Sequence, residues 1–160
     1  MRSRPDWDQY FLCLAFVARV RSHDPDTQHG CILCTPDNHV LSVGYNGFPR
    51  GMDDNLLPIT RPEKYRWMAH AESNSLANCP VRPTGCTAYV TGESCLPCLM
   101  ALWQHGVVKV VQAAWHGSHV IDEPAAEPDE RERREVFLEQ TGMVVVTTRF
   151  VSEWLEEAIP

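Results

Sequence analysis

A histidine at position 70, a glutamate two residues later and a Cys95-x-x-Cys98 pair further along are the side chains of this sequence best suited to chemistry. Two thiolates that close together are soft donors, and an imidazole completes three protein ligands for Zn²⁺, leaving a fourth position for water. Bound zinc lowers the pKa of such a water toward neutrality and so makes a nucleophile available. A carboxylate beside the metal, but not on it, can then move protons between that water and a leaving group, and Glu72 has the spacing for this role. Each element alone carries less. Cys-x-x-Cys also occurs as a redox pair, and a lone helical histidine is more often a polar core residue. A structural zinc is a further alternative, with Cys79, Cys86 or His105 as a fourth ligand.

Such side chains need rigid elements to hold them. Apolar residues at Tyr10, Phe11, Leu14, Phe16, Val17 and Val20 have the 3-to-4 spacing of a helix over 7–20 with a buried face. The stretch CILCTPDNHVLSVGYNG reads as two short strands about a Pro36-Asp37-Asn38 turn. From Phe48 to Arg66 the prolines and glycines and the lack of any period predict a long ordered loop, of the kind that serves a site. A helical pattern runs from Met68 through Asn78, and CTAYV is a third strand. CLPCLMALWQHG then predicts a helix with proline in its first turn that closes at Gly106. VVKVVQAA reads as a strand buried on both faces, PDERERREVFLEQTG as a charged helix, MVVVTT as a fifth strand and SEWLEEAI as a short closing helix. This order predicts an α/β domain in three α/β/α layers, with a five-stranded mixed sheet whose later strands are parallel.

Composition narrows the function classes. The 160 residues fit one domain spanning 1–160, with no internal repeat. No run approaches the length of a membrane span, and Asp6 and Asp8 make the amino-terminal stretch an amphipathic helix rather than a signal peptide, so a cytoplasmic setting is the expectation. A net charge of -7 argues against a polynucleotide partner, although a small anion needs only one or two local donors. Seven cysteines is an odd number, and Cys13, Cys31, Cys34 and Cys86 stand among apolar neighbours as core fillers. The charge run from Glu127 to Glu135 reads as a solvated helix face.

His-x-Glu at one helix start and Cys-x-x-Cys at another is the arrangement of the zinc deaminases of nucleobases, in which the glutamate stays off the metal. RSHDPDTQHGCIL, GYNGFPRG, HAESN and GCTAYV extend the likeness over nearly the whole chain, which resembles the deoxycytidylate (dCMP) deaminases of the cytidine deaminase-like superfamily. The resemblance implies hydrolysis of dCMP to dUMP and ammonia, with His70, Cys95 and Cys98 on zinc and Glu72 as proton shuttle. It places Asn46 at the sugar end of the substrate and Ser22 in a segment that closes the pocket. It adds Ala71, Trp115 and His116 to the substrate contacts. It also implies a homohexamer regulated by dCTP as activator and dTTP as inhibitor, with Mg²⁺ on the triphosphate and with Gly44, Tyr45, Gly47, Arg50 and Asn74 near the effector.

The chain departs from that pattern in one place. Ser94 stands where the family has a proline directly before the first metal cysteine, and serine does not stiffen a turn as proline does. Glu93 at this turn also matches the Glu-Pro-Cys of tRNA adenosine and guanine deaminases. Deamination of dCTP, of a modified deoxycytidine nucleotide or of a purine therefore stays open, as does a non-catalytic zinc-stabilised nucleotide-binding subunit. Arg21, Arg50 and His116 are the candidate phosphate donors.

Overall fold

Asp6 caps the first helix, its carboxylate accepting the Gln9 N–H at 2.8 Å, and the helix that follows, α1 (Trp7–Arg19), lies against the sheet. The computed structural model describes residues 4–114 and 128–150. Within them the order continues β1 (Gly30–Cys34), β2 (Val40–Tyr45), a 3₁₀ turn (Glu63–Arg66), α2 (Ala71–Asn78), β3 (Thr87–Val90), α3 (Leu96–Gln104), β4 (Lys109–Ala114), α4 (Pro128–Thr141) and β5 (Val144–Arg149). The closing helix expected from SEWLEEAI lies outside the described residues. No described helix is long and apolar enough to cross a membrane.

The strands form one sheet in the order β2-β1-β3-β4-β5, antiparallel on the hairpin side and parallel from β3 to β5. Asn38 takes φ 67 in the hairpin turn, a conformation that asparagine tolerates better than most residues. Because side chains alternate along a strand, the sheet feeds two cores. Cys31, Leu33, Ala88, Val90 and Val110 face α2 and α3, where Leu99 and Leu102 are fully buried. Ile32, Cys34, Tyr89, Val111 and Ala113 face Phe11, Leu12 and Ala15 of α1. The expected mixed five-stranded sheet between helical layers is the fold found, and the four cysteines read as core fillers are all buried.

Two local expectations are corrected. The buried stripe of α1 is Phe11, Leu12, Cys13 and Ala15, while Tyr10, Val17 and Val20 are exposed. Leu14 and Phe16 pack partly buried against the same core, and Gly30 lets β1 approach α1 so closely that a Cβ there would sit 2.0 Å from the Ala15 carbonyl oxygen. The helix expected from Met68 begins at Ala71 instead. Ala69 and Gly47 exchange backbone hydrogen bonds of 2.8 and 3.1 Å, and this extended pairing holds the chain straight until His70.

Candidate metal centre and active-site cleft

His70 and Cys95 each occupy the cap position at the amino terminus of a helix, α2 and α3, and Cys98 lies one turn into α3. A proline at the start of α3 costs no hydrogen bond, and the helix dipoles favour anionic thiolates at this end. His70 Nδ1 lies 3.5 Å from Cys95 Sγ and 3.3 Å from Cys98 Sγ. Tetrahedral zinc with ordinary Zn–N and Zn–S bonds would set a nitrogen and a sulfur roughly 3.6 Å apart, so the donor set fits this metal. All three donors lie within 4.8 Å of one another, and they form the one such group of His, Cys, Asp and Glu donors among the described residues. Hydrogen bonding from Cys98 and His70 lowers the Cys95 thiol pKa, whereas the same pairing and burial raise that of Cys98.

The alternative fourth ligands are engaged elsewhere. Cys79 Sγ donates to the Val81 carbonyl at 3.0 Å, His105 Nδ1 pairs with the Ala101 carbonyl at 2.8 Å, and Cys86 belongs to the core. The imidazole against both sulfurs is a feature that a simple redox pair does not require. Glu72, second in α2 and only 5% exposed, lines a cleft of about 120 Å³ together with His70, Ala71 and Cys95. Burial raises the Cys31 thiol pKa, and the pairing with Cys95 together with burial raises that of Cys98; the Glu72 charge adds to both shifts.

Of the expected substrate contacts, Asn46 and Ala71 line this cleft. Asn46 Oδ1 accepts the His29 N–H at 2.7 Å and its Nδ2 donates to the Thr27 carbonyl at 2.9 Å, so the side chain holds the 27–29 segment in place. Ser22 is not among the lining residues; its hydroxyl accepts the Asp24 N–H at 3.3 Å. Trp115 and His116 lie outside the described residues. Of the expected effector group, Gly44 is buried against α2, where a Cβ would come within 2.3 Å of the Ala71 oxygen and Ser75 nitrogen. Asn74 donates to the Tyr45 carbonyl at 2.8 Å, Gly47 pairs with Ala69, and exposed Arg50 reaches Asn78. These residues therefore tie β2 and its following loop to α2.

Sequence reasoning missed the ionic cluster behind the cleft. Lys64 has no exposed side chain and donates to Asp24 at 2.6 Å and to Asp26 at 2.7 Å, while Arg61 donates to Thr27 Oγ1 at 3.0 Å. Asp24 and Thr27 line the cleft, so this cluster fastens the long loop to the cleft wall. Burial pulls the Lys64 pKa down, but the hydrogen bonds that its ammonium donates to Asp24 and Asp26 outweigh it and the net shift is upward. The same Lys64 hydrogen bond is the main cause that lowers Asp26. A raised lysine contributes stability below its unfolded pKa and loses it as pH rises through the folded value; a lowered aspartate loses its contribution as pH falls through its own. The cluster should therefore weaken only at the acid and alkaline extremes. Lys64→Met strands Asp24, 4% exposed, without its cation and should cost about 3–5 kcal/mol in chemical denaturation. A loss below 1 kcal/mol would mean that the cluster contributes little.

With fold and site described, the class is that of α/β/α domains with a three-ligand His/Cys/Cys metal centre. Residues 5–114 match the family described as the cytidine and deoxycytidylate deaminase zinc-binding region, and the chain belongs to that family. Over 113 residues it is 34% identical to the deoxycytidylate deaminase of Mus musculus, covering 66% of this chain and 64% of that one. The chain thus spans somewhat under two thirds of that relative's length. It is 44% identical over 108 residues to a probable deoxycytidylate deaminase of Caenorhabditis elegans, covering 64% of this chain and 54% of the relative. A crystal structure of dCMP deaminase from the cyanophage S-TIM5, in complex with dCMP and dUMP, shares the fold with a TM-score of 0.64 at 22% identity, over 91% of this chain and 99% of the other.

Proposed function

We propose that residues 1–160 form one deaminase domain that hydrolyses dCMP to dUMP and ammonia, supplying dUMP for dTTP synthesis. The observation that carries this reading is His70 Nδ1 against both thiols, with buried Glu72 in the same cleft. The choice of cytosine nucleotide is supported by the names of the relatives. Zinc held by His70, Cys95 and Cys98 would supply an acidified water, reactive at neutral pH, for attack on cytosine C4. Glu72 takes a proton from the attacking water, delivers one to ring N3, and passes another to the 4-amino group as it leaves as ammonia. One water enters and one ammonia departs, so the atoms balance. In this reading Asn46 and Ala71 serve at the cleft wall, Ser22 belongs to the segment that helps to close the pocket, and Trp115 and His116 are further substrate contacts. A cytoplasmic setting agrees with seven free cysteines.

The same reading includes a homohexamer in which dCTP activates and dTTP inhibits, with Mg²⁺ on the triphosphate and the effector near Tyr45, Arg50 and Asn74. It draws on the apolar surface of the long loop, where Met52, Leu56, Ile59, Tyr65 and Trp67 are exposed, Leu56 at 81%. Light scattering should report a homo-oligomer of the 18.1 kDa chain at micromolar concentration; a monomer would contradict the assembly. Ammonia release from cytosine and adenine mono- and triphosphates, with and without dCTP and dTTP, tests the substrate and the regulation together. Preference for another nucleotide would replace the substrate, and effector-independent saturation curves would remove the regulation.

A further inference from the structure

The turn that carries Cys95 has no proline, yet hydrogen bonds from two distant elements hold it. The Ser94 N–H donates to Gln112 Oε1 at 3.2 Å, with Ser94 0% and Gln112 3% exposed. Gln112 stands in β4 among buried Val110, Val111 and Ala113, a setting in which an amide is costly unless its polar atoms are bonded. Its Nε2 donates to Thr147 Oγ1 on β5 at 2.9 Å, which fixes the amide's orientation. From α4, Arg134 Nη1 donates to the Ser94 carbonyl at 3.1 Å and pairs with the Glu93 carboxylate. The buried Ser94 hydroxyl has no hydrogen-bond partner, so the turn is held through its backbone groups and the Glu93 side chain rather than through the serine side chain.

We propose that Gln112 and Arg134 are positioning residues for the metal centre, holding the Glu93–Ser94 backbone so that Cys95 Sγ keeps its place opposite His70 and Cys98. The inference rests on the reading of those three residues as the zinc site. A proline at 94 would stiffen the turn through its ring but would have no N–H for Gln112 to accept. In this chain the restraint comes from the β4 amide and the α4 guanidinium. Hydrogen bonds that orient a ligand in this way affect how tightly the metal is held, not only whether the chain folds.

The test is zinc affinity of the full chain, measured by competition with a chromophoric chelator, with the visible spectrum of the Co²⁺-loaded protein reporting thiolate geometry. Gln112→Leu should weaken zinc binding about 10- to 100-fold, and Arg134→Ala by about tenfold. Adding Ser94→Pro to Gln112→Leu should restore most of the lost affinity and the wild-type Co²⁺ spectrum, because the orphaned N–H is gone and the ring restrains the turn. General loss of packing would not be repaired in this way. Wild-type affinity in both single variants overturns the proposal, and so does a Gln112→Leu defect that Ser94→Pro leaves untouched. If Gln112→Leu does not fold, Arg134→Ala decides by the same measurement. A wild-type chain that binds no zinc would overturn the site reading together with this proposal, whereas one tightly held zinc with unchanged variants would overturn the proposal alone.

Discussion

Glu72→Ala is expected to retain nearly all its zinc while turnover of dCMP falls by about 10²- to 10⁴-fold, the scale of a lost general acid and base. Glu72 stands in the first turn of α2, two residues after His70, and lines the cleft with His70 and Cys95 without belonging to the metal-donor group. Alanine favours the helix, so the change should leave α2 in place. The negative charge it removes is one of the causes that raise the Cys98 thiol, so its loss does not hinder thiolate formation. Metal analysis and turnover on one sample decide the matter. Equal loss of zinc would make Glu72 a ligand, and undiminished turnover would remove it from the mechanism.

Cys98→Ala should have the broader effect, with zinc falling to background, turnover disappearing and the melting temperature dropping. Cys98 is 4% exposed, and its sulfur is the nearer of the two to His70 Nδ1. Two remaining ligands hold zinc far less well than three. A ligand bound only by the folded state stabilises it by about 2.7 kcal/mol when present at 100 times its dissociation constant, and the variant forfeits that increment. Treating the wild type with a strong chelator should reproduce the loss, and added zinc should reverse it in the wild type but not in the variant. A Cys98→Ala protein with full zinc and normal turnover would refute the metal assignment.

The three donors were legible because zinc chemistry calls for that combination of residue types at that spacing, and because Pro97 marks the first turn of the helix that carries both cysteines; the exact start of α2 at Ala71, with His70 as its cap, was not legible from periodicity. The hairpin was legible from its turn residues, and the parallel half of the sheet from strands that alternate with helices. Lys64 was not, since a lysine within a proline-rich loop has the signature of a solvated charge. Only the folded loop brings it against Asp24 and Asp26, 40 and 38 residues away. The face of α1 was legible in part: Phe11 is buried and Leu14 and Phe16 pack against the core, but Tyr10, Val17 and Val20 are exposed and the buried Leu12 and Ala15 were not singled out by the spacing of the larger apolar residues. Serine at 94 signals a less stiff turn; the amide that bonds its N–H lies 18 residues further on, in the buried middle of β4, where the sequence shows only a glutamine among apolar neighbours.

Simultaneous measurement of bound zinc, dUMP and ammonia from the purified chain with dCMP tests the central claim most directly. The account predicts one zinc per chain, with dUMP and ammonia formed in equal amounts and both abolished when the zinc is removed. A chain carrying its full zinc that releases no ammonia from dCMP, or one that deaminates dCMP undiminished after the metal is stripped, would contradict it.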